Sequence, residues 1–155
     1  MEMEVRELAP LRGFGFRLES EASPERIGQQ WGRLLLAAER AGRRWAGRRI
    51  GLRHVAKGEG SGRPERYEGL LLLEGEEKLE GFEPLSFAGG LYALFPFRGA
   101  YHRLEEGFER ILREGRLPAG LRPGEGPWVE HYLGDPREVP EGELRVELGI
   151  PVERA

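Results

Sequence analysis

The chain has 155 residues, 24 basic and 27 acidic for a formal net charge of −3, and no cysteine. That length suits one domain of the common size of about 100–150 residues, and the lack of cysteine excludes disulfides, thiolate metal sites and cysteine nucleophiles. No apolar run approaches the roughly 20 residues of a membrane-spanning helix, and the start Met1-Glu2-Met3-Glu4 is too acidic for a signal peptide, so a cytoplasmic protein is expected.

In chain order, Leu11–Leu18 reads as a strand, with Phe14, Phe16 and Leu18 alternating. A helix follows, in which Ser23 is placed as N-cap and Pro24 as first helical residue. Ile27, Trp31, Leu34, Leu35, Ala38 and Ala41 share one stripe at helical spacing. Trp31 and Trp45 are fourteen residues apart, close to four turns, so they share a side if the helix runs that far. Arg43, Arg44, Arg48, Arg49 and Arg53 make a basic stretch that reads as a solvated, ion-paired helix end. Strands at 50–55 and 66–73 close this unit around a Gly/Ser-rich connection, 57–63, that reads as a mobile loop.

After the charged link 74–81 the pattern starts again. Leu91, Ala93, Phe95 and Phe97 alternate along a strand, and Tyr101, Leu104, Phe108, Ile111 and Leu112 mark a helix that Gly115 ends. Strands Trp128–Leu133 and 143–152 follow, separated by a turn at Gly134-Asp135-Pro136. Internal similarity supports the duplication. With a shift of 77, Ile27 falls on Leu104, Trp31 on Phe108, Arg33 on Arg110, Leu34 on Ile111 and Leu35 on Leu112, and 65–68 falls on 144–147 with a shift of 79. One domain of two strand–helix–strand–strand (SHS2) units is expected, about 5–73 and 82–152. Neither unit buries its helix and strands alone. Paired, they form an α+β fold with one curved antiparallel sheet, both helices on one side and a central cleft suited to a ligand.

Charge is carried almost entirely by Arg and Glu: Lys57 and Lys78 are the only lysines, Asp135 the only aspartate, and Asn and Thr are absent. Few thermolabile amides and many ion-pairing side chains fit a thermophilic source; a GC-rich genome produces the same bias.

The second half carries a family pattern. Phe97-Arg98-Gly99-Ala100-Tyr101 has the form of a strand-to-helix "hRGpY" junction. Residues 128–136 have the form "fEiYlnDP", and Pro140-Glu141-Gly142-Glu143-Leu144 with Val146, Ile150, Pro151 and Val152 has the form "pPeeLrteiyiPV". In order and spacing this resembles the GyrI-like small-molecule (effector) binding domain, found in AraC- and MerR-type multidrug regulators and in stand-alone gyrase-inhibitory proteins. The first half matches less well, with Ser20–Ser23 at the junction and no Asp-Pro turn. The resemblance implies a pocket lined by aromatic residues, in which the glutamate matching Glu130 meets lipophilic, cationic aromatic compounds. Some relatives instead hydrolyse cyclopropane-bearing DNA-alkylating natural products with a pocket glutamate and tyrosine; here these would be Glu130 as general base and Tyr132.

Read physically, Glu130 shares one face of its strand with Trp128 and Tyr132. From the pattern alone, either that face or the one bearing Val129, His131 and Leu133 builds the core. Ligand contacts are expected from Glu130, Tyr132, Trp128, Trp31, Phe108, Tyr67 and Tyr92, while Tyr101 reads as a structural junction tyrosine. His54, His102 and His131 lack metal-ligand spacing, Gly58-Glu59-Gly60-Ser61-Gly62 lacks the features of a phosphate cradle, and no cofactor is expected. With its first unit opening near Val5, the chain leaves no room for a DNA-binding module ahead of it, so specific DNA binding by this chain alone is not expected. The expected partners are a small hydrophobic or cationic aromatic ligand and, in the alternative role, a regulator or gyrase.

Overall fold

The computed structural model describes residues 1–20, 22–45, 48–55, 64–134 and 138–155. The connection 57–63 and the turn residues Asp135 and Pro136 lie outside the described residues. Among the described residues nine strands are formed: β1 (Glu4–Leu8), β2 (Leu11–Leu18), β3 (Arg48–His54), β4 (Arg66–Leu71), β5 (Glu83–Phe87), β6 (Gly90–Arg98), β7 (Leu121–Pro123), β8 (Trp128–Leu133) and β9 (Arg145–Arg154). Helix α1 spans Pro24–Arg40, and α2 spans Leu104–Glu114 behind a short 3-10 turn at Tyr101–Arg103.

Helix α1 starts where the sequence marks it. Ser23 is extended (φ −70°, ψ 156°), its side chain accepts a hydrogen bond from Arg26 N, and Pro24 opens the first turn. At the other end Gly42 adopts φ 65°, with Arg43 N donating to Ala38 O and Gly42 N to Glu39 O. This is a Schellman cap, which needs a left-handed residue after the helix and so stops it there. Trp45 therefore lies beyond the helix rather than on a side shared with Trp31, although it too is buried. The Arg-rich stretch is not a helix end either, because Arg48, Arg49 and Arg53 belong to β3.

The strands make one open, curved antiparallel sheet in the order β1-β6-β9-β8-β3-β4-β2-β5, with β7 on β9. This order reads as a palindrome about the β3–β8 pair, where Leu52 faces Val129. The sequence reading did not assign β1, β5 or β7 as strands. They are short and peripheral: β1 and β5 stand at the sheet edges, and β5 carries Pro84, which an edge tolerates. Each edge strand pairs with the opposite half of the chain, β1 with β6 (Glu4↔Leu94) and β5 with β2 (Leu11↔Phe87).

Alternation along β3 and β8 divides the side chains between two faces. Trp128 and Tyr132 join the buried cluster that also contains Ile27, Trp31 and Leu34 of α1 and Leu104, Phe108 and Ile111 of α2, so both helices cover the same face. Ile50, Leu52 and Val129 point the other way, into a smaller cluster with Leu70, Leu85, Phe87, Tyr92 and Leu94.

Candidate functional site

The middle of the helix-covered face holds Glu130, which is wholly buried. Two tyrosine hydroxyls donate to its Oε1, that of Tyr67 at 2.6 Å and that of Tyr132 at 2.5 Å. Its Oε2 accepts from Nε of Arg53, itself only 2% exposed, and Arg53 Nη1 lies 4.0 Å from Glu105 Oε1 on α2. Trp31, from α1, donates its indole N–H to the Tyr67 hydroxyl at 2.8 Å, extending the network into the helix layer. A carboxylate in such surroundings is costly unless paired and hydrogen-bonded, and here it is both.

The sequence reading had this carboxylate meet a ligand cation, but its charge is met within the chain by Arg53. Burial, the largest single influence, works against the Arg53 charge, yet Glu130 together with the Tyr67 and Tyr132 hydroxyls holds the guanidinium pKa above its ordinary value. Burial first, and then the negative charge of Glu130, push the Tyr67 and Tyr132 hydroxyls well above the ordinary phenol range. Both are therefore fixed as donors.

Aromatic rings enclose the charged groups. The Arg49 guanidinium lies 3.9 Å from the Tyr132 ring centroid and 5.0 Å from those of Trp31 and Tyr101. Arg53 lies 5.3 Å from the Phe108 ring and 5.8 Å from that of Tyr67. Phe108 stacks on Trp128 at 5.3 Å, and Phe16 stacks on Tyr67 at 5.8 Å while meeting Trp31 edge-on.

The network depends on a glycine across the register. Gly51 faces Glu130 on the neighbouring strand, and a Cβ there would stand 2.2 Å from the Tyr67 hydroxyl and 2.6 Å from Glu130 Oε1. Only a residue without a side chain leaves room for the shared carboxylate.

Of the residues singled out by sequence, Glu130, Tyr132, Trp128, Trp31, Phe108 and Tyr67 gather here. Tyr92 does not: its place in the alternation of β6 puts it on the opposite face, against Phe87, with its hydroxyl donating to Pro127 O. Sequence reasoning missed Arg49, Arg53, Tyr101 and Gly51. The signal was present, since Arg49, Gly51 and Arg53 alternate with Ile50 and Leu52 and a shift of 77 sets Arg53 on Glu130. Among the described residues no cluster of His, Asp and Glu is arranged to hold a metal ion, and no helix is long and apolar enough to cross a membrane.

An antiparallel sheet backed by two helices, with aromatic side chains grouped around a buried carboxylate between the layers, defines a small-molecule binding class of α+β domain. Residues 1–153 match the GyrI-like family, described as the "GyrI-like small molecule binding domain", and the chain belongs to that family. A DNA gyrase inhibitor of Edwardsiella piscicida is 32% identical over 83 residues, covering 54% of this chain and 52% of that protein. The chain thus spans about half the length of the curated relatives it matches. Among solved structures, SAV2435 bound to tetraphenylphosphonium superposes with TM-score 0.61 at 18% identity, covering 99% of this chain and 94% of that one. EcmrR in its DNA complex superposes with TM-score 0.74 at 13% identity, covering 99% of this chain and 58% of that one. At these identities the structures show the shared fold.

Proposed function

We propose that the protein binds lipophilic aromatic small molecules between its helices and its central strands, at the rings gathered around Glu130. The observation that carries this reading is the arrangement itself: Trp31, Tyr67, Tyr101, Phe108, Trp128 and Tyr132 converge on one buried, fully hydrogen-bonded carboxylate. Flat apolar compounds gain area and ring–ring contacts at such a site. A direct counter-ion role for Glu130 toward a cationic ligand requires Arg53 to give way. A hydrolytic role, with Glu130 as base and Tyr132 as acid, requires the carboxylate to exchange donors it already holds for water.

The test is a thermal-shift and calorimetric screen of aromatic compounds on the whole chain, because excess ligand raises apparent stability by mass action. Stabilising compounds should lose their effect in Trp31→Leu. Stabilisation unchanged by that substitution, or no aromatic ligand at all, would remove the reading.

A second reading, modulation of gyrase through protein contact, is favoured by one observation: the curated relatives are named DNA gyrase inhibitors. A supercoiling assay with and without the protein decides it, and undiminished supercoiling at excess protein dismisses it.

A further inference from the structure

The chain has four tyrosines, and three of them give their hydroxyl protons to acceptors within it. Tyr67 and Tyr132 donate to Glu130 Oε1 at 2.6 Å and 2.5 Å, and Tyr92 donates to Pro127 O at 2.8 Å. The Tyr67 oxygen is also an acceptor, since it takes the indole N–H of Trp31. Tyr101 differs. Its hydroxyl is buried and has no hydrogen-bond partner among the described residues. Burial strips a phenol of water, so a tyrosine hydroxyl inside a protein ordinarily finds a partner. This one also belongs to the site: Tyr101 opens the 3-10 turn ahead of α2, and its ring lies 5.3 Å from that of Tyr132, tilted by 40°. The uncommitted phenolic proton is thus carried by the ring next to the one whose hydroxyl holds Glu130.

We infer that Tyr101 is a polar contact of the central site, its hydroxyl donating to an acceptor atom, such as a carbonyl oxygen, on the bound aromatic compound. The inference rests on the binding site proposed above and narrows its ligands to ring systems that carry an acceptor. Glu130 cannot take this part, because a carboxylate has no proton to give. Tyr67 and Tyr132 would first have to release it. A plain hydrocarbon covers the Tyr101 hydroxyl and leaves it unpaired, whereas an acceptor replaces the lost hydration. A site that holds a buried polar group for its ligand therefore discriminates against analogues that lack the partner.

The experiment uses benzophenone and diphenylmethane, which carry two phenyl rings on one carbon and differ in the carbonyl oxygen. Tyr101→Phe keeps the ring and removes the hydroxyl. Binding titrations on the whole chain should show benzophenone weakened about fivefold or more by this substitution, and diphenylmethane moved less than about twofold. The infrared carbonyl stretch of bound benzophenone should lie lower in the wild type than in Tyr101→Phe, a shift that a purely structural tyrosine would not produce. Equal weakening of both probes would make Tyr101 a wall of the site and overturn the assignment. So would an unmoved carbonyl stretch. The ligand-free chain gives a further check: Tyr101→Phe should be at least as stable as wild type in urea, because it deletes a hydroxyl that has no partner. A clear loss of stability would show that hydroxyl already bonded and would also overturn it. Failure of the site itself looks different: neither probe then binds the wild type, or both bind Trp31→Leu equally well, and the role of Tyr101 falls with it.

Discussion

Arg53 and Glu130, the two ends of the buried ion pair, stand 77 residues apart, the same interval that sets Trp31 on Phe108. They lie on either side of Leu52 and Val129, the register pair at the middle of the palindromic sheet. Corresponding places on the two central strands thus carry opposite charges that meet across the axis. The charge Glu130 would otherwise offer a ligand is neutralised by its own counterpart.

Glu130→Gln should therefore destabilise the protein. Removing one partner of a buried pair leaves the other charge uncompensated, at a cost of about 3–5 kcal/mol. Urea denaturation measures the loss. Adding Arg53→Met to Glu130→Gln should recover part of it, because no lone charge then remains. A single variant as stable as wild type would show that the ion pair contributes nothing net.

Gly51→Ala should cost about 1–3 kcal/mol, the usual range for forcing extra atoms into a packed interior. The added methyl stands against the Tyr67 hydroxyl and Glu130 Oε1. The same variant should weaken every aromatic ligand of the central site, read by calorimetry. Unchanged stability and binding would mean that the Tyr67–Glu130 contact is dispensable.

Alkali should unfold the protein earlier than its core suggests. The folded-state hydroxyls of Tyr67 and Tyr132 titrate well above the value of about 10 expected in the unfolded chain. Below pH about 10 both states hold the protons and stability is fully present. Above it the unfolded chain releases them while the folded chain retains them, so stability falls by about 1.4 kcal/mol per pH unit for each tyrosine. Tyr92, pushed up to about 12 by burial, acts in the same direction. Urea midpoints between pH 9 and 11 should trace this decline, less steeply in Tyr132→Phe; equal slopes would refute the assignment.

Specific duplex DNA binding should be absent. The net charge is −3, and two of the five arginines in the basic stretch are buried in the site. Loss of phosphate contacts removes the main source of nucleic-acid affinity. A sequence-dependent gel shift at physiological salt that survives competitor DNA would contradict this.

The sheet class and the start of α1 were legible because each rests on a local signal, alternation and a Ser-Pro start, whereas the pattern along β8 left open which of its faces meets the helices. The edge strands were not legible. Glu4–Leu8 mixes charge with few apolar residues, and what makes it a strand is β6, far along the chain. Arg49 and Arg53 were misread because a run of arginines ordinarily marks solvent, and only the alternation with Ile50 and Leu52 assigns them to the inner face. Tyr92 was misplaced for the converse reason, since residue type suggested the cleft while strand parity directs it to the opposite face.

The crossed edge strands bear on how the chain assembles as it leaves the ribosome. Strand β1 is made first, yet its partner β6 comes about ninety residues later, and β2 must wait for β5. Pairings so distant in sequence favour slow closure. Until Gly90–Arg98 is synthesised, the early half carries an orphan strand and an open sheet edge, the kind of surface on which nascent chains aggregate or swap with a neighbour. Closure of this sheet thus waits on the second half, which completes the edge of both.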